Sequence, residues 1–220
     1  MGVVIINFKA YREGSGKQAL KLAGIVEEIS AKVDDYIAIA PNFLDLPEII
    51  STFNIDVYAQ HVDAVTFGSH TGRITAEVLK EKGAKGSLIN HSERRLKLAD
   101  IDFLVSKFSE LGLVSVVCTN NVATTAAASA LSPDYVAIEP PELIGSGIPV
   151  SKAEPEIVEN SVKAAKDVNE NVKVLCGAGI SKHEDYITAL DLGADGVLLA
   201  SGIVKAEDQK RSLEELVGLR

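Results

Sequence analysis

Four residues of this 220-residue chain, Asn7, Lys9, His91 and Glu139, each stand at or just past the end of a short apolar run. Together their types suit the removal of a proton beside a carbonyl group. A carboxylate near carbon-bound hydrogens can act as a general base, an effect commonly worth about 10² to 10⁴ in rate. An imidazole can polarise a carbonyl while staying neutral, and a helix amino terminus expected after His91 favours that form. A lysine at the same end serves as a point charge for an anion. Taken singly, each has a plainer reading. Lys9 could be a solvated surface lysine. His91, between Asn90 and Ser92 and ahead of Glu93, Arg94 and Arg95, could cap the next helix. Glu139, held by the rigid Pro140-Pro141 pair, could simply accept a nearby lysine's charge.

Two glycine turns add a second chemistry. Gly177-Ala178-Gly179-Ile180-Ser181 and Ser201-Gly202 each follow an apolar run, where backbone N-H groups can approach a phosphate closely. Either turn alone needs no ligand. Their joint placement after the seventh and eighth runs carries the weight. Between Glu139 and Ala153 lies a connection with prolines near both ends and a Gly145-Ser146-Gly147 centre, longer than the usual roughly 2 to 6 residues. Its length suggests a lid that closes over substrate.

These residues need elements to position them, and the runs themselves provide the pattern. They are Val3 to Phe8, Tyr36 to Ala40, Ile55 to Gln60, Ser87 to Asn90, Val114 to Cys118, Tyr135 to Ile138, Val172 to Cys176 and Val197 to Ala200. Apolar throughout rather than alternating, they read as eight parallel strands covered on both faces. Helical spacing fills the intervals, as in Leu20, Ile25 and Ile29, or Leu104, Phe108 and Leu111. Further helices are expected over Leu46 to Phe53, Thr75 to Lys82, Asn121 to Leu131, Pro155 to Val168, Lys182 to Leu192 and Asp208 to Leu216. Pro155 suits a first helical turn, with Glu154 and Glu156 at the positive end of the dipole. Eight strand-helix units without a linker predict one α/β domain over residues 1–220, a (β/α)8 TIM-type barrel. An open doubly wound sheet would want a glycine-rich turn after the first strand, and Asn7-Phe8-Lys9 is not one. Ala59 to Thr75 has room only for an irregular loop.

Composition narrows the partners. With 46% hydrophobic and 24% charged residues the chain can bury a full core, and its formal charge of −9 argues against nucleic acid. An anionic substrate must then be held by local donors against a repulsive overall field. Cys118 and Cys176 sit in apolar runs and read as buried thiols. His61, His70, His91 and His183 lack zinc-site spacing, so no metal is expected. No stretch suits a signal peptide or a membrane span, which gives an expectation of a cytoplasmic protein.

Asn7-Phe8-Lys9, Asn90-His91-Ser92-Glu93-Arg94-Arg95, Glu139-Pro140, Ile144-Gly145-Ser146-Gly147 and the two glycine turns, in this order, resemble the triosephosphate isomerase family over the whole chain. The resemblance implies that Glu139 moves the proton, His91 polarises the carbonyl, Asn7 and Lys9 hold substrate oxygen and charge, and Glu93 supports the site. It also implies phosphate contacts from Ile144, Gly145, Gly179, Ala200, Ser201 and Gly202. The family is itself the standing example of a carboxylate base working with a neutral histidine. Triose phosphates would be the substrates, with no cofactor. The chain departs from the common form in its shortness and in having no tryptophan, which makes it similar to the compact archaeal branch. The stretch Thr66 to Ile74, with Thr71 at its tip, resembles the family's interdigitating loop and implies at least a homodimer, with a homotetramer open.

Two other readings compete. A Schiff-base aldolase on a similar barrel would want a lysine on a central strand, and strands four to six carry none. A silent sugar-phosphate sensor would be expected to lose Glu139 or His91, and both are present.

Overall fold

Strands this short and this apolar can bury both faces only if something covers each side, and the chain does this by closing the sheet on itself. The computed structural model describes residues 2–140 and 153–219. Its strands are β1 (Val3–Asn7), β2 (Tyr36–Ala40), β3 (Asp56–Ala59), β4 (Gly86–Ile89), β5 (Val114–Thr119), β6 (Tyr135–Ile138), β7 (Lys173–Gly177) and β8 (Gly196–Leu199). Each pairs in parallel with the next, and β1 pairs with β8, Val3 opposite Gly196, to complete a closed barrel. The predicted TIM barrel is the fold.

Helices α1 (Lys17–Ser30), α2 (Leu46–Thr52), α3 (Ala76–Glu81), α4 (Leu98–Leu111), α5 (Val122–Ser129), α6 (Pro155–Val168), α7 (His183–Asp191), α8 (Ser201–Val204) and α9 (Gln209–Leu216) follow the strands. Alternate strand residues serve two cores. Val4, Ile6, Ile39, Val117, Val136, Val174 and Val197 point out against the helices, while Ile5, Ala38, Leu88, Val116, Ala137, Leu175 and Leu198 fill the barrel. α6 opens on Pro155, with Glu156 in its first turn, as expected. Cys118 and Cys176 are buried thiols.

The amino-terminal floor is tied by carboxylates standing just before three even-numbered strands. Asp35 accepts from Gly2 N-H at 2.6 Å, Asp134 from Ser115 N-H at 2.8 Å and Asp195 from Val174 N-H at 2.8 Å. Beside them Tyr36 donates to Asp56 at 2.7 Å and meets the Tyr58 hydroxyl at 3.1 Å.

Two local expectations are corrected. No helix starts directly behind His91: a turn closes there, Arg94 N-H donating to the His91 carbonyl at 2.8 Å, and α4 begins only at Leu98. The four-residue helix α8, directly after β8, was not anticipated. It is too short to show a period. The stretch 60–75 is irregular as expected, and its stem is clasped: Asp63 N-H donates to the Ile74 carbonyl at 2.9 Å, and Ile74 N-H returns to the Asp63 carboxylate at 2.8 Å. No helix among the described residues is long and apolar enough to cross a membrane.

Candidate active site

A parallel barrel gathers the ends of distant strands at its carboxyl mouth. Here the mouth holds one cavity lined by Asn7, Lys9, His91, Glu139, Gly179, Ala200 and Ser201 among others. Seven of the residues singled out in the sequence therefore meet in one place, although they come from β1, β4, β6, β7 and β8.

Glu139 and His91 form its centre. Both are buried, 5% and 6% exposed, and His91 Nε2 lies 3.5 Å from Glu139 Oε1. The imidazole's state follows from its other nitrogen. Glu93 N-H donates to His91 Nδ1 at 3.2 Å, so Nδ1 is an acceptor and the ring proton sits on Nε2, facing the cavity. A helix amino terminus was expected directly behind this histidine; a turn whose backbone N-H points at Nδ1 stands there instead. Glu139 Oε2 is buried and has no hydrogen-bond partner among the described residues. A buried carboxylate oxygen that the described residues leave without a donor is open to accept a proton. Below it, burial first and the Glu139 charge second push the Cys118 thiol up, so this cysteine stays protonated against the carboxylate.

Lys9 is largely covered, its side chain 12% exposed, and its ammonium meets the Glu93 carboxylate at 3.0 Å. Glu93 thus touches the site twice, through its backbone at His91 and its side chain at Lys9. Asn7 accepts from Lys9 N-H at 3.0 Å, which spends the amide oxygen on the backbone and leaves the amide nitrogen for the cavity. Arg94, in the same turn, reaches across to Asp63 at 3.5 Å.

Backbone conformation marks the same spot. Among described non-glycine residues, positive φ occurs at Lys9 (50°), Asn90 (62°), Ser132 (61°) and Ala178 (70°), and all but Ser132 lie at the mouth. Such conformations are uphill for side-chain-bearing residues and persist only where neighbours enforce them. Asn90 is enforced by its own amide, which accepts from Leu96 N-H at 2.8 Å and donates to the Cys118 carbonyl at 2.9 Å.

The two glycine turns lie side by side. A Cβ on Gly202 would meet the Ile180 carbonyl at 2.8 Å, so this glycine allows the two turns to touch. Ser201 and Gly202 open α8, and the first N-H groups of a helix have no acceptor inside it. Gly179, at φ 74°, lines the same cavity as Ser201. A site with two sets of backbone donors and one ammonium can hold a phosphate; a buried carboxylate and a neutral imidazole beside it can move a proton. Ile144, Gly145 and the rest of the suggested lid beyond Pro140, residues 141–152, lie outside the described residues.

Gly177 was read from the sequence only as part of the first glycine turn, and Gln60 was given no role. A Cβ on Gly177 would fall 2.5 Å from Glu139 Cγ, so the missing side chain is the slot the carboxylate stem occupies.

Comparison with known proteins gives one family. A family model described as triosephosphate isomerase matches residues 2–217. The chain is 75% identical over 219 residues to the triosephosphate isomerase of Archaeoglobus fulgidus, covering 100% of this chain and 98% of that protein. Over 215 residues it is 58% identical to that of Methanothermus fervidus, covering 98% and 97% of the two chains, and 56% identical to that of Methanocaldococcus jannaschii, covering 98% of each.

Proposed function

The chain belongs to the triosephosphate isomerase family, and from that premise we propose how Glu139, His91, Lys9 and Asn7 divide the work of its reaction. It is an isomerase that interconverts D-glyceraldehyde 3-phosphate and dihydroxyacetone phosphate in glycolysis and gluconeogenesis, by proton transfer through an enediolate. Glu139 takes the proton from the carbon beside the carbonyl and returns it to the neighbouring carbon. His91 donates from Nε2 to the carbonyl oxygen, where negative charge develops. It takes the proton of the neighbouring hydroxyl in its place, so that the hydroxyl proton passes from one oxygen to the other and the ring is restored. Lys9 and the free N-H of the Asn7 amide offset that charge, and the Lys9 ammonium also attracts the phosphate, both worth most in a site that excludes water. Gly179, Ala200, Ser201 and Gly202 hold the phosphate through backbone groups, anchoring the end of the substrate that does not react.

The observation that carries this reading is the 3.5 Å approach of a buried His91 Nε2 to a buried Glu139, with Lys9 in the same cavity. The test is a coupled assay with glyceraldehyde 3-phosphate on the parent, Glu139→Asp and His91→Gln. Shortening the base withdraws it from the carbon, and kcat in the folded Glu139→Asp chain should fall by about 10² or more with KM little changed. Parent-like turnover in that variant would remove Glu139 from the role.

The residues 1–220 are read as a single catalytic domain that works in the cytoplasm as at least a homodimer. The loop 66–74 supports assembly: it is exposed, and with Phe67 at 62% and Leu44 at 91% it presents apolar surface near the mouth.

A further inference from the structure

Lys9 carries the substrate's charge in the reading above, yet its backbone is in a conformation that lysine rarely adopts, with φ at 50°. Something must hold it there. The Asn7 amide oxygen takes the Lys9 N-H at 3.0 Å, which fixes one side of the residue. On the other side, the side chain of Gln60, directly after β3, donates from Nε2 to the Lys9 carbonyl at 2.9 Å and to the Ala40 carbonyl at 2.9 Å. Ala40 in turn receives the Phe8 N-H at 3.0 Å, so Gln60 ties the ends of β1 and β2 into one unit just where the chain bends to present Lys9.

Both neighbours of Nε2 are carbonyl oxygens, so the amide must be turned with its two hydrogens inward, and only a side chain with two donors on one atom fits both. We infer that Gln60 is a positioning residue for Lys9: its double hydrogen bond keeps the Lys9 peptide in its left-handed turn and the ammonium in the cavity. Gln60 is not among the described residues that line the cavity. It acts through Lys9, and the inference rests on Lys9 binding the substrate's charge.

The variants are Gln60→Leu, which keeps much of the bulk without donors, and Gln60→Glu, which presents a carboxylate to two carbonyls. In Gln60→Leu, kcat/KM should fall by about 10- to 100-fold, the usual effect of a misplaced binding group. Calorimetry should show glycerol 3-phosphate, which has the phosphate but no carbonyl to isomerise, bound about tenfold more weakly. In Gln60→Glu the loss should be deepest at high pH and partly recover on acidification, because the introduced carboxyl regains one donor once it is protonated. That gives the pH profile an ionisation the parent lacks, which a merely structural role would not add, and it stands even if Gln60→Leu fails to fold.

Binding is then repeated in a Lys9→Met background. If Gln60 acts through Lys9, the Gln60→Leu penalty on glycerol 3-phosphate largely disappears there. A penalty of undiminished size overturns the inference, as does a folded Gln60→Leu chain with parent-like kcat/KM. A Lys9→Met chain that binds glycerol 3-phosphate as tightly as the parent removes the premise instead, and so separates failure of the Lys9 reading from failure of the Gln60 one.

Discussion

At the scale of the residue, position rather than chemical type distinguishes the working groups, and small absences matter as much as side chains. Gly177 illustrates this, because the space a methyl group would need is filled by the Glu139 stem. Gly177→Ala should therefore displace the carboxylate and lower kcat by about 10²-fold, with binding of glycerol 3-phosphate kept within about threefold. A parallel loss of both would mean the whole mouth had shifted. Asn7, Lys9, His91 and Glu139 were legible in the sequence because each stands at or just past the end of an apolar run, so their place at one end of a sheet could be counted. Gln60 was not. An amide at the end of a run carries no mark of its partners, and Lys9 lies 51 positions away. The link from Arg94 to Asp63 was hidden for the same reason.

At the scale of the element, the strands were readable nearly to the residue, since an apolar run in a parallel sheet ends where the chain meets water. Their ends moved by about one position. The missed pieces were those set by side-chain ties rather than by periodicity: the delay of α4 to Leu98, where Asn90 claims the Leu96 N-H, and the single turn of α8. The floor, where Tyr36 and Tyr135 open β2 and β6 beside Asp56 and Tyr58 of β3, has its own pH dependence. Burial above all pushes the Tyr36, Tyr58 and Tyr135 phenols up, with the neighbouring Asp56 and Asp134 adding to it. A phenol titrates near 10 when unfolded, so its contribution is full below that pH and is lost as pH rises from there toward the folded value. Thermal melts should thus show Tm falling steeply above about pH 10, and Tyr36→Phe should flatten that fall. An unchanged slope would mean the floor phenols do not govern alkaline unfolding.

At the scale of the whole molecule, two clasps give loop 60–75 a fixed shape. Arg73 reaches the buried Asp63 carboxylate at 2.7 Å beside the backbone ties at its stem, and Arg94 joins the same carboxylate to the turn that holds His91. A loop so held suits a surface presented to a second copy of the chain. Light scattering at micromolar concentration should give at least twice the 23.3 kDa chain mass; a strictly monomeric, fully active protein would refute the dimer. The closure of the barrel has a further consequence, in the order of events as the chain is made. β1 is finished early, yet one of its two edges waits for β8, with Val3 opposite Gly196. Until those late residues arrive, every partial chain carries an open row of backbone donors and acceptors on a very apolar strand, the kind of edge that seeds aggregation. The long span between the two strands also makes the closing contact slow to form. A newborn chain is therefore most at risk just before its end, and a truncation within β8 should be far more damaging to soluble yield than its handful of lost residues suggests.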